Sequence, residues 1–202
     1  MSRLLADVVR PPSQPWRTFL ANHITAIASM DFFTVPTVTG RLLFVFIVLS
    51  HDRRRILHVN CTERPTSAWT AQQVVEAFPE DTAARWLLRD RDTIYDDHVR
   101  RRIASLGMTD IVSSPRSPWQ NPYVERVLGS IRRECLDHVI VFNETHLRRI
   151  LLAYVAYYHR SRTHLALDKD APEGRTTCAG SGTIRVTPEV GGLHHRYDRQ
   201  AA

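Results

Sequence analysis

The run Leu42-Leu43-Phe44-Val45-Phe46-Ile47-Val48-Leu49 constrains this chain more than any other feature. Eight apolar residues bounded by Arg41 and His51 fall far short of the ~20 needed to cross a bilayer, and they are rich in strand-favouring Val, Ile and Phe. They read as a buried strand. Two further strand-like segments flank it. Ile24 to Phe33 is largely apolar, ends in polar and turn-prone residues and places Asp31 at its end, after which Thr39-Gly40 signals a turn. Arg55 to Thr62 alternates through Ile56, Leu57, Val59 and Cys61. Three strands in quick succession imply an antiparallel meander.

Beyond Pro65 the period changes. Thr66 or Ser67 is placed to cap a helix carrying Trp69, Val74, Val75 and Phe78 before Pro79 stops it. Arg85 to Asp90 is a short buried-strand candidate, Asp96-Asp97 opens a helix that runs to Leu106 and closes at Gly107, and Ile111-Val112 make a brief strand. Ser113 to Pro122 holds three prolines and reads as loop, and helices follow at 123–138 and 144–159. The order βββ-α-β-α-β-α-α predicts an α/β fold, a mixed five-stranded sheet flanked by helices, with functional groups at strand ends. Residues 1–18, with three prolines and no period, read as a linker or truncated region; 19–168 form the core; 169–202, turning to Gly, Thr and Pro, form a tail.

Composition narrows the partners. The 202 residues carry a formal net charge of +6, and 26 of the 27 basic residues are arginine, Lys169 being the exception. A basic balance favours a polyanion, since neutralising phosphates releases counterions. Cys61, Cys135 and Cys178 fit neither a disulfide framework nor a zinc template and read as small apolar fillers. With no secretory signal and no membrane-length run, a cytoplasmic protein without a membrane partner is expected. His51, His58 and His98 show no ligand spacing.

Three carboxylates stand out. Asp31 ends the first strand, Asp90 the fourth, and Glu125 lies in the first turn of the helix after the proline-rich loop. Two carboxylates at strand ends and one on a helix are able to converge on a pair of Mg²⁺ ions, because hard cations prefer oxygen ligands and keep positions open for water and phosphate. Two ions roughly 3.5–4 Å apart activate an attacking oxygen and stabilise the leaving one in phosphodiester displacement.

The strings Met30-Asp31-Phe32-Phe33-Thr34-Val35, Leu88-Arg89-Asp90-Arg91-Asp92 and Ser114-Pro115-Arg116-Ser117-Pro118-Trp119-Gln120-Asn121-Pro122-Tyr123-Val124-Glu125-Arg126 resemble the integrase-core transposases of bacterial insertion sequences, relatives of retroviral integrases with a DDE triad. Tyr157-Tyr158-His159-Arg160-Ser161-Arg162-Thr163-His164 fits the same family, and the resemblance spans about residues 20 to 172. It implies a ribonuclease-H-like fold, Asp31, Asp90 and Glu125 as catalytic metal ligands, and Mg²⁺ with Mn²⁺ as substitute. It further implies hydrolysis at an element end followed by strand transfer into target DNA, a homo-oligomer when active, and association with the nucleoid. The family's second motif is usually D-x-G, so Asp92, standing where Gly is expected, competes with Asp90. Spacing favours Asp90, which leaves 34 residues before Glu125 where Asp92 leaves 32.

The helix bearing Glu125 buries Val124, Leu128, Ile131 and Cys135 on one stripe, with Glu125, Gly129, Arg132 and Leu136 on the next. Gly129 lets a DNA backbone come close. Arg126, Arg132 and Arg133 are candidate phosphate contacts, Gln120 and Asn121 candidate polar contacts near the scissile phosphate, and Arg160, Arg162 and His164 a basic cluster with the same role. Leu147, Leu151, Tyr154 and Tyr158 form the core stripe of the last helix. The family's usual helix-turn-helix region has almost no room here, so element-end recognition falls to a separate helix-turn-helix protein, or the chain is a truncated copy. A DNA-binding remnant without turnover, and a nuclease that cuts without joining, are the competing readings.

Overall fold

Parity along the central strands decides the architecture. In the computed structural model, which describes residues 15–79, 82–115, 117–175 and 182–199, the long apolar run becomes β2 (Leu42–Ser50). It pairs antiparallel with β1 (Ile27–Pro36) on one side and with β3 (Ile56–Thr62) on the other, which is the expected meander. β4 (Trp86–Arg89) joins β1 in parallel, and β5 (Thr109–Val112) joins β4 in parallel, giving the order β3-β2-β1-β4-β5. Parallel neighbours need crossovers. These are α2 (Ser67–Ala77), capped by Thr66, and α3 (Asp97–Ser105), capped by Asp96 and followed by Gly107 at φ 75°.

Alternate residues of β1 and β2 enter different cores. Phe33, Val35, Leu43, Val45, Ile47 and Leu49 pack against α4 (Pro122–Glu134) and α5 (Glu144–Arg160). Ala28, Met30, Phe46 and Val48 pack against α2 and α3. β2 therefore shows no polar alternation, because helices cover both faces of the sheet. The two predicted helical stripes, Val124-Leu128-Ile131-Cys135 and Leu147-Leu151-Tyr154-Tyr158, are buried throughout. Cys61 and Cys135 are buried free thiols whose pKa values burial pushes up to about 11; Cys178 lies outside the described residues. Among the described residues no helix is long and apolar enough to cross a membrane.

Several boundaries differ from the expectation. The first strand starts at Ile27, after a 3₁₀ turn at Ile24–Ala26, and continues to Pro36. Its antiparallel ladder with β2 holds residues past Asp31 extended, so Asp31 is the fifth of ten strand residues and not a strand terminus. The α4 helix ends at Glu134, where Cys135 leaves helical geometry with φ −137° and ψ −64°, and a 3₁₀ turn over Leu136–His138 follows. Helix α1 (Trp16–Asn22) begins inside the stretch read as linker, and its Leu20 packs on Ile27 and Leu88. Within the stretch read as tail, β6 (Ile184–Glu189) and β7 (His194–Arg199) form a hairpin. It docks on α5, with the His194 ring stacked on Tyr157 at 4.1 Å and Ser161 donating to Glu189 at 2.9 Å.

Candidate active site

Register brings the first two carboxylates together. The parallel β1–β4 ladder ends at Ser29 opposite Leu88. Asp31 and Asp90 each lie two residues further along, hence abreast and on the same face, where β1 continues against β2 alone. For the β4 side of the sheet Asp31 is thus at an end after all. Phe33 and Val35, of the same parity as Asp31, pack against α4. Asn121 precedes α4, Pro122 occupies its first turn, where a missing N–H costs nothing, and Glu125 follows. Asp31, Asp90 and Glu125 line one cavity of about 310 Å³ with Arg91, Ser113 and Asn121.

The electrostatics follow from that convergence. Burial pushes the Asp31 carboxyl up to about 7; the Phe32 N–H, donating to Asp31 Oδ1 at 2.7 Å, opposes this, and Asp90, Glu125 and Asp92 reinforce it. Asp92 lines a different cavity, with Phe32, Ser67 and Asp96. Its N–H donates to Asp90 Oδ1 at 3.1 Å and its Oδ1 accepts from Ile94 N at 3.1 Å, so it forms a turn after β4. Asn121 is buried, and its Oδ1 has no hydrogen-bond partner among the described residues.

Among the described residues no group of three or more His, Cys, Asp or Glu stands close enough to hold a metal ion. The carboxylates, hydroxyls and Asn121 carbonyl of the cavity nevertheless offer oxygen donors of the kind Mg²⁺ or Mn²⁺ prefers, and a cation there would favour the ionised form of Asp31 against its burial and, secondarily, the neighbouring carboxylates. The residue types suit such an ion, while the three carboxylates do not form a closed ligand group.

The other predicted contacts divide. Gln120 braces the loop: its Oε1 accepts from Ser114 N at 2.6 Å and its carbonyl accepts from Trp16 Nε1 at 3.1 Å. Arg126 is exposed on α4 beside Glu125. Arg132 is exposed, its guanidinium 5.2 Å from the centre of the Phe33 ring. Arg133 is exposed and folds over Gly129, where a Cβ would meet its Nη1 at 2.8 Å, so the open backbone expected at Gly129 is covered by a flexible side chain. Arg160 lies 3.5 Å from Glu173. Arg162 makes a bidentate pair with Glu134 at 2.6 and 2.7 Å, and His164 is buried beside it. His51 is buried, hydrogen-bonded to Ser29, and burial pushes its pKa down to about 3; His58 contacts Gln73 at 2.9 Å; His98 is exposed.

Asp90 is braced by residues outside the sequence candidates. Arg89 is 4% exposed and grips Asp110 on β5 through Nε at 2.8 Å and Nη2 at 2.7 Å, while Nη1 donates to the Asp90 carbonyl at 3.0 Å. Tyr95 is buried beneath, and burial followed by Asp31 and Asp90 pushes its phenol upward. No linear signal announces either, because Asp110 is set beside Arg89 only by the β4–β5 pairing.

Residues 106–172, about a third of the chain, match the family model described as Integrase core domain. No curated protein matches the chain. Among solved structures the fold is similar to a chain of the simian T-cell lymphotropic virus intasome in complex with PP2A regulatory subunit B56 gamma, with TM-score 0.61, 13% identity and 86% of this chain covered. The present chain spans 66% of that one's length. It is also similar to the catalytic domain of Mos1 mariner transposase (TM-score 0.58, 12% identity, covering 70% of this chain and 77% of that one). A third is the HTLV-2 integrase catalytic core domain, solved with magnesium in a dimeric form (TM-score 0.56, 11% identity, covering 74% of this chain and 94% of that one). At these identities the likeness is one of fold. The chain carries an integrase core match over residues 106–172, set in the mixed five-stranded, ribonuclease-H-like fold of retroviral integrase and mariner transposase catalytic cores.

Proposed function

We propose that this chain is the catalytic core of a DNA transposase or integrase, performing metal-dependent phosphodiester hydrolysis and DNA strand transfer with Asp31, Asp90 and Glu125. The observation that carries this reading is that three carboxylates from two strands and a helix line one cavity, with the buried Asp31 loaded by the charges of the other two. Asp90 is the second ligand in this reading and Asp92 the turn residue that orients it, supported by the division of the two between separate cavities.

Mg²⁺ or Mn²⁺, two ions in this reading, supplies activation of the attacking oxygen and stabilisation of the leaving one. The chain's own residues orient. Arg89 fixes the Asp90 backbone, Gln120 holds the loop ahead of α4, and Asn121 offers an unpartnered Oδ1 to what enters. In the first step water attacks phosphorus at the element end, a P–O bond breaks, and a 3′-hydroxyl is released. In the second that hydroxyl attacks a target phosphodiester: one P–O bond forms and one breaks, with no covalent protein intermediate. Arg126, Arg132, Arg133 and Arg160 lie exposed on the same helices and suit phosphate contact. DNA is the partner, with assembly as a homo-oligomer.

The test is Mn²⁺-dependent resealing of a branched DNA that mimics the joined product, with wild type run beside Glu125→Gln, Asp90→Asn and Asp92→Asn. Loss with the first two and retention with Asp92→Asn is the expected result. Folded wild-type protein that binds DNA without reacting would replace this reading with a non-catalytic DNA-binding core, and cleavage without joining would replace it with a nuclease.

A further inference from the structure

A second cavity, of about 250 Å³, opens on the other side of α4's first turn. Asn121 and Glu125 line the carboxylate cavity; Tyr123 and Arg126 line this one. Its floor is the end of α5 and the segment after it, through Tyr158, Arg162 and His164, and its far wall is Arg54, from the turn between β2 and β3. Among the described residues no carboxylate lines it.

Its charged groups are all guanidinium donors. Arg54 is held in the left-handed region at φ 59°, unusual for a side-chain-bearing residue, so that its guanidinium lies 3.5 Å over the Tyr123 ring while Nη1 donates to the His51 carbonyl at 2.6 Å. Arg162 is charge-compensated by Glu134. Arg126 makes no hydrogen bond or ion pair with any described residue. His164 is only 9% exposed. Its Nδ1 lies 3.3 Å from Arg162 Nη1, which has protons to give, so Nδ1 accepts and Nε2 carries the ring proton. Among the described residues that Nε2 makes no well-formed hydrogen bond, and the nearest acceptor, the Tyr158 backbone, is only a weak partner for the ring. A buried donor lacking a good acceptor is costly, and the cost is removed when an oxyanion arrives.

We propose that this cavity is an anion site that takes one phosphate group of the DNA strand whose scissile phosphate lies in the carboxylate cavity. Oxyanion acceptors answer the Nε2–H of His164, and the uncompensated charge of Arg126 with the clamped Arg54 answers the phosphate's. A single α-helix, roughly 10 Å across, separates the cavities, which makes the captured phosphate a near neighbour of the reacting one along the strand. The inference rests on DNA being the substrate, but its test is independent of turnover.

The experiment measures binding of a 20-base-pair duplex without divalent metal, by fluorescence anisotropy over a salt series, for wild type, Arg126→Ala and His164→Phe. A set of duplexes carries one neutral methylphosphonate at each position in turn. Wild type is expected to lose about tenfold in affinity at one position. Arg126→Ala should bind unmodified duplex more weakly, lose about 0.9 from the slope of log K against log salt, and no longer respond to methylphosphonate at that position. His164→Phe should also lose the response, and Arg126, being exposed, keeps the test open if the buried substitution fails to fold. Inorganic phosphate, tested by thermal shift on the same proteins, separates the sources. Phosphate stabilising wild type but not Arg126→Ala, with a flat methylphosphonate profile, would keep the anion site and reassign its ligand to free phosphate. An unchanged slope and profile in Arg126→Ala, with no stabilisation by phosphate, would overturn it. Because metal is absent throughout, a protein that never joins strands still answers the question.

Discussion

Asp31→Asn should stabilise the metal-free protein while abolishing the proposed chemistry, and the size of the effect follows from the cavity. Burial and the neighbouring carboxylates move the Asp31 pKa from 3.8 to about 7, so folding takes up a proton between those values. The folded state binds more protons than the unfolded one in that window, and stability falls as pH rises through it. Below 3.8 both states are protonated and nothing is lost; above 7 both are ionised and the full penalty stands, about 4 kcal/mol at 1.36 kcal/mol per pH unit. Asparagine carries no such penalty. In EDTA at pH 8 the variant should therefore melt roughly 8–16 °C above wild type, at about 2–4 °C per kcal/mol for a domain of this size. At pH 5 the gap should shrink to about 1.5 kcal/mol. Scanning calorimetry from pH 4 to 9 reads it directly, and adding Mn²⁺ should raise wild type alone. A variant no more stable than wild type at pH 8, or a gap independent of pH, would refute the account of Asp31 as a carboxyl raised by burial and, secondarily, by its neighbours.

Arg89→Ala leaves the partly buried Asp110 without its partner and frees the Asp90 carbonyl; a loss of about 3 kcal/mol is expected in urea unfolding, with strand joining lost even below the midpoint temperature. Gly129→Ala should stabilise α4 by up to about 1 kcal/mol, because the added Cβ meets only the mobile end of Arg133; destabilisation would mean that Arg133 is held in place. Trp16→Phe keeps the α1 packing but removes the donor to the Gln120 carbonyl, costing about 1 kcal/mol and raising amide exchange in residues 117–121; unchanged exchange would show the loop to be held without α1.

The sheet and its covering helices were legible because their cause is local. An unbroken apolar run declares a strand covered on both faces, 3.6-residue stripes declare α4 and α5, and Thr66, Asp96 and Gly107 declare where helices begin and end. The candidates Asp31, Asp90 and Glu125 stood out for the same reason, as carboxylates beside strongly patterned elements. Residue by residue, the pattern was silent on who touches whom. The two-residue overhang of Asp31 and Asp90 past the last β1–β4 pair, the grip of Arg89 on Asp110, the Trp16 bond to a loop 104 positions away, and the placement of Arg54, Arg126 and His164 around one cavity all depend on strand register and helix docking. Local sequence determined the elements and the chemistry each carries, because propensity and hydrophobic period act over a few residues. Only the tertiary structure decided which charges meet, because Coulombic and hydrogen-bonding terms depend on distance in space, which burial of the two cores sets for residues far apart in the chain.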